Sequence, residues 1–81
     1  MFAKEVIALT KMDTGESGVV VDVLGGRGAF RRLEALGIRI GKKIIIKSRG
    51  LLWGPVTVQV GTTQIGVGHG MASKVMVEVK R

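Results

Sequence analysis

The amino-acid sequence predicts a mainly β fold: a small five-stranded barrel with one short helix inserted after the first strand and a helical turn before the last. Three observations carry this expectation. Val and Ile recur in short alternating runs, 13 glycines punctuate those runs, and 46% of the residues are hydrophobic against 23% charged. Such a composition suits a barrel or sandwich better than a helical bundle or a disordered chain. With 81 residues the expectation is a single domain over residues 1–81 with a simple core, because a chain of this size buries only about 60% of the surface it exposes when unfolded.

Glu5 to Lys11, with Val6, Ile7 and Leu9, reads as an extended lead-in, and Asp13-Thr14-Gly15-Glu16 has turn chemistry. The first strand, Gly18 to Leu24, places Val19, Val21 and Val23 on one face and Val20, Asp22 and Leu24 on the other. Gly25-Gly26-Arg27-Gly28 breaks it. Ala29 to Leu36 then has helical spacing, with Ala29, Phe30, Leu33 and Leu36 on one broad apolar face. Gly37 suits the position after the helix end, and Ile38 beyond it suits the apolar contact that accompanies such an ending.

The second strand is expected from Lys42 to Arg49, with Ile44 and Ile46 inward and Lys43, Ile45, Lys47 and Arg49 outward as a mostly basic stripe. Gly50 to Gly54 is a loop bearing Leu51, Leu52 and the only Trp, Trp53. Pro55 opens the third strand, where its missing N–H does least harm, and Val56, Val58 and Val60 face inward. Gly61-Thr62 is a two-residue hairpin signal leading into Thr63 to Val67, with Ile65 and Val67 on the core face. Gly68 to Ala72 fits one helical turn, and Lys74 to Lys80 is a last strand with Val75, Val77 and Val79 inward and Met76 and Glu78 outward. Short antiparallel strands with a helix after the first define a small SH3-like barrel, in which closure removes exposed sheet edges.

Net charge is +7, from 13 Lys and Arg against 6 Asp and Glu. The whole excess lies in one window, where Arg27, Arg31, Arg32, Arg39, Lys42, Lys43, Lys47 and Arg49 face the single acid Glu34. A localised excess of this kind steers an acidic partner or nucleic acid. The absence of cysteine excludes disulfides and thiolate metal sites and fits a cytoplasmic location. No apolar run approaches the roughly 18 residues of a membrane span, and Glu5 interrupts any signal-peptide pattern.

Catalytic constellations fail on inventory. Gly26-Arg27-Gly28 resembles the start of a dinucleotide fingerprint, but Arg31 stands at its third glycine position. The segment Gly37 to Lys43 is one residue short of a P-loop, has Lys43 in place of Ser or Thr, and leads into a strand where a helix is required. His69 is the only imidazole, there is no Cys, and no Ser or Thr has a second His-type base available, which excludes nucleophilic triads and zinc hydrolase sites. A carboxylate pair is not excluded in this way, since Asp13 and Glu16 could meet in space, but both sit in a turn where solvated acids are the far commoner reading. The expectation is a protein that is not an enzyme.

Four motifs, in order, carry a family resemblance: Leu33-Glu34-Ala35-Leu36-Gly37-Ile38, Gly41-Lys42-Lys43-Ile44, Gly54-Pro55-Val56, and Ala72-Ser73-Lys74-Val75-Met76-Val77. From Ile7 to Val77 the chain resembles the FeoA family. The resemblance implies an SH3-like barrel and a small cytosolic accessory of the FeoB-type ferrous-iron transporter, a membrane protein with a cytosolic G domain. It also implies a link to transition metals, and related domains at the C-terminus of iron-dependent repressors act in protein contacts. Two positions depart from the family pattern: Ile40 stands where Pro is common before Gly41, and Gly68-His69-Gly70-Met71 stands where polar or acidic residues often precede the Ala.

Leu51, Leu52 and Trp53 are the candidate partner-binding residues, with Arg31, Arg39, Lys42 and Lys43 orienting the approach. The same loop has two other uses, folding back to cap the barrel or self-association. No cofactor is required: six scattered acids form no visible multidentate site, His69 is more often simply a turn residue and is the one candidate ligand for Fe(II) or Zn(II), and a weak site or one shared between subunits is the alternative. An RNA- or DNA-binding module using the basic stripe, or a repressor-type interaction domain, is the alternative function. Phe2, Phe30 and Trp53 are the only aromatics, too few for a base-stacking platform with Phe30 in the core.

Overall fold

Strand and helix follow one another as β1 (Lys4–Ala8), a 3-10 turn (Leu9–Lys11), β2 (Ser17–Val23), α1 (Gly26–Ala35), β3 (Lys43–Arg49), β4 (Val56–Val60), β5 (Thr63–Val67), α2 (His69–Ala72) and β6 (Val75–Lys80). They are seen in a computed structural model that describes residues 3–81, so Phe2 lies outside it. All neighbours are antiparallel in one 6-stranded sheet of order β1-β6-β2-β3-β4-β5. The architecture is mainly β, as the sequence predicts, with one strand more than expected.

The additional strand is the lead-in. Its register runs from Lys4 opposite Lys80 to Ala8 opposite Met76, so β6 lies between β1 and β2. The burial of β1 does not alternate cleanly, and its order comes from pairing with the far end of the chain rather than from local pattern. Beyond β1 the 3-10 turn drives Leu9 and Met12 fully into the core. The sheet curls round that core without closing, since no ladder joins β1 to β5 among the described residues.

The strongly patterned segments fold as expected. Val75, Val77 and Val79 of β6, Ile44 and Ile46 of β3, and Val56 and Val58 of β4 are all buried in one cluster with Val20, Leu33, Ile38 and Val67. Val60 pairs with Thr63 across the two-residue Gly61-Thr62 turn. Gly18 lies opposite Ile44, where a Cβ would come within 2.5 Å of Val77 Cγ1 and 2.6 Å of the Glu78 carbonyl oxygen. Only a residue without a side chain lets β2 approach β6 there.

Two β-bulges alter the predicted faces. In β2 the register passes from Val20 opposite Val77 to Asp22 opposite Met76, leaving Val21 as the extra residue. Val20 and Val23 therefore share the core side, and the simple alternation of Val19, Val21 and Val23 does not hold. In β3 the register passes from Ile46 opposite Val58 to Ser48 opposite Thr57, leaving Lys47 as the extra residue. Arg49 then stands opposite inward-facing Val56, out of step with Lys43 along the strand, although it stays exposed as expected.

Helix α1 packs through a narrower stripe than its apolar spacing predicts. Ala29 and Leu33 are buried, but Phe30 is 37% and Leu36 44% exposed. The cause lies at the C-terminus, where Gly37 (φ 89°) reverses the chain. The Ile38 N–H donates to the Leu33 carbonyl at 2.9 Å and the Gly37 N–H to that of Glu34 at 2.9 Å, the paired bonds of a Schellman ending. This turn puts Ile38 into the core, so Leu36 is left at the rim. Ile40 follows in a turn closed by the Lys42 N–H on the Arg39 carbonyl at 3.0 Å, and is 54% exposed.

Candidate functional site

The loop between β3 and β4 is held by its neck and bare at its tip. The Gly50 N–H donates to the Pro55 carbonyl at 2.8 Å, one step beyond the ladder, and the Gly54 N–H to the Leu51 carbonyl at 3.0 Å. A Cβ on Gly50 would sit 2.8 Å from both the Gly54 carbonyl carbon and the Pro55 oxygen, so the two strands meet there backbone to backbone. The central residues Leu52 (φ 51°) and Trp53 (φ 65°) are both left-handed. Positive φ at both central positions is the pattern of a type I′ turn, normally built from Asn and Gly. Each bulky residue held there costs on the order of 1–2 kcal/mol.

This strained turn lifts Leu51, Leu52 and Trp53 away from the barrel. They are 89%, 94% and 79% exposed, so the loop does not cap the core. Among the described residues, the one aromatic contact is Trp53 with His69, ring centroids 4.9 Å apart and planes at 78°. α2 thus places His69 against the edge of the loop. A cleft of about 540 Å³ lies beneath, lined by Trp53, His69, Arg49, Lys11, Thr10 and Ser73 among others.

Arg49 is the cleft residue whose register the sequence does not reveal, although its exposure is as expected. The bulge at Lys47 turns it toward the 3-10 turn, where its Nη2 donates to the Thr10 carbonyl at 2.8 Å. No local signal marks a bulge in Ile46-Lys47-Ser48, and Lys11 and Thr10 join the cleft only through the long-range pairing of β1 with β6.

The four basic residues expected to accompany the loop lie elsewhere. Arg39, Lys42 and Lys43 converge on a separate groove of about 480 Å³ with Gly37, Val60 and Gly61. Arg31 is on the exposed side of α1. Lys43 and Arg49 end the same strand, six residue steps or roughly 20 Å apart, so the groove and the Trp53 loop occupy opposite ends of β3. Asp13 and Glu16 are joined through a cation instead of acting as an acid pair. Arg81 Nε donates to Glu16 Oε2 at 2.9 Å and Nη2 to Oε1 at 2.8 Å, and Asp13 Oδ2 is 3.9 Å from the same Nη2. These bonds, with that from the Asp13 N–H, hold the Glu16 carboxyl down at about 2.

Among the described residues no three His, Cys, Asp or Glu side chains come together, and the cleft that contains His69 is lined by no acid. Among the described residues no helix is long and apolar enough to cross a membrane.

Comparisons with known proteins agree with this architecture. The family model described as the FeoA domain matches residues 7–79. A protein of Methanocaldococcus jannaschii provisionally named Fe(2+) transport protein A is 38% identical over 65 residues, 79% of this chain and 76% of its own. A crystal structure of an iron uptake regulatory protein, FeoA, superposes with a TM-score of 0.82 at 33% identity, covering 93% of this chain and 99% of that one. The zinc complex of Stenotrophomonas maltophilia FeoA, described as a procaryotic SH3 domain protein, gives a TM-score of 0.73 at 31% identity and covers 88% of both chains. The curled six-stranded sheet is thus an SH3-like fold, and the chain belongs to the FeoA domain family.

Proposed function

We propose that this protein is a non-enzymatic cytosolic accessory of ferrous-iron uptake that docks, through the Leu51-Leu52-Trp53 loop, onto the cytosolic part of a FeoB-type transporter. The observation that supports it most is that three adjacent large apolar side chains are 79–94% exposed on a turn whose backbone is strained to hold them there. Desolvating each is worth roughly 1.5 to 3 kcal/mol, and strain of this kind persists at sites where it serves a contact. Family membership supplies the iron-transport setting. The reading rests on protein contact and requires no resident metal.

Titration calorimetry against the transporter's soluble cytosolic region tests it. Trp53→Ala is expected to weaken binding by about 2 kcal/mol, roughly thirtyfold in Kd. Unchanged affinity would remove the loop from the interface. Nucleic acid is the competing partner for the basic groove; binding to duplex DNA that collapses as salt rises, with none to the transporter region, would replace this reading.

A further inference from the structure

Resting on the docking loop just described, we infer that the cleft beneath Trp53 is a receptor for a carboxylate side chain on an acidic, apolar segment of the partner, with Arg49 as its anchor. The cleft is lined by the cations Lys11 and Arg49 and by His69, and by no Asp or Glu. Only two of the 13 Lys and Arg are paired with acids among the described residues, Arg81 with Glu16 and Asp13 and Lys4 with Glu78. Among the described residues Arg49 has no such partner.

Arg49 is also pre-positioned. The bulge at Lys47 brings it to the side of Val56, and its Nη2 is fixed on the Thr10 carbonyl at 2.8 Å. One bond of this kind leaves the other guanidinium N–H groups to meet a carboxylate, two at a time and in plane. Bulges recur where a strand must re-aim one side chain, and here the re-aimed group lines the same cleft as the exposed indole. A partner residue entering the cleft would set its carboxylate on Arg49 while its apolar neighbours cover Leu51, Leu52 and Trp53. A polyanion would be served as well by the groove of Arg39, Lys42 and Lys43, which has no exposed apolar rim of this size; the adjacent Leu-Leu-Trp favours a peptide.

The test is an amide-shift titration of the isotope-labelled full chain with a short amphipathic peptide of leucines and two glutamates, its glutamine counterpart, and inorganic phosphate. The glutamate peptide is expected to shift the amides of Arg49 to Gly54, Lys11 and His69. The glutamine peptide should bind tenfold or more weaker, as loss of a hydrogen bond to a charged group implies. Arg49→Gln should lose the preference between the two peptides, and Arg49→Lys should keep part of it. Lys11→Gln, which leaves the Thr10 bond in place, should narrow the preference if Arg49→Gln does not fold. Equal binding of both peptides, no binding, shifts confined to Arg39 to Lys43, or phosphate shifting the same amides as strongly would each overturn the inference. Because no transporter is present, this outcome is independent of the docking reading: peptide selectivity without transporter binding would retain the cleft and reject the partner, and the reverse would retain the partner and reject the cleft.

Discussion

Glu16 and Arg81 show how much a single pair can decide in a chain this small. Glu16 ends the turn before β2 and Arg81 follows β6, so their two parallel bonds tie segments 65 residues apart. The Arg81 guanidinium, with help from the Asp13 N–H, moves the Glu16 carboxyl from the ordinary 4.5 to about 2. A carboxyl depressed by folding contributes stability that is fully present above its unfolded pKa and is lost as pH falls through the folded one. The contribution should therefore be intact above about pH 4.5 and disappear between there and about pH 2. Thermal melts of the wild type and Glu16→Gln should differ at neutral pH, with the variant less stable, and converge across that window. A difference that stayed constant down to pH 2 would show that the charge on Glu16 is not what the pair contributes.

At the scale of elements, the loop between β3 and β4 sets the proposed docking against stability. Leu52 and Trp53 occupy left-handed backbone that Asn and Gly adopt at little cost. Replacing both, Leu52→Asn with Trp53→Gly, should raise unfolding stability by about 1 kcal/mol in urea denaturation and abolish docking. A destabilised variant would mean that the Trp53 contact with His69 outweighs the backbone strain. The same loop marks where sequence reading stops. The β4–β5 hairpin and β6 were legible because valines alternate and Gly61-Thr62 closes the turn. The exposed tip is legible as composition only, since nothing in Leu-Leu-Trp announces a left-handed turn and the sequence leaves both capping and exposure open. β1, the bulges at Val21 and Lys47, and hence the position of Arg49 depend on pairing between distant strands, which local periodicity does not encode.

For the whole molecule, the distribution of charge relative to the apolar loop separates steering from holding. The net +7 is concentrated between Arg27 and Arg49, and Arg39, Lys42 and Lys43 meet at the end of β3 away from Trp53, roughly 20 Å off. Charges at that distance from a docking surface are too far to be desolvated with it, but their field extends over the Debye length, about 10 Å at 0.1 M salt, and past it with diminishing strength. Exposed charges outside a contact act mainly on the association rate, whereas buried apolar anchors act on dissociation. Lys42→Gln with Lys43→Gln should thus slow association with the transporter's cytosolic region several-fold at low salt, leave dissociation unchanged, and lose its effect near roughly 0.5 M salt, where the screening length is only a few ångströms. Trp53→Ala should do the opposite, accelerating dissociation at every salt concentration. Stopped-flow measurement of both rates distinguishes them, and faster dissociation in the double lysine variant would place the groove of Arg39, Lys42 and Lys43 inside the contact, making the interface span both ends of β3.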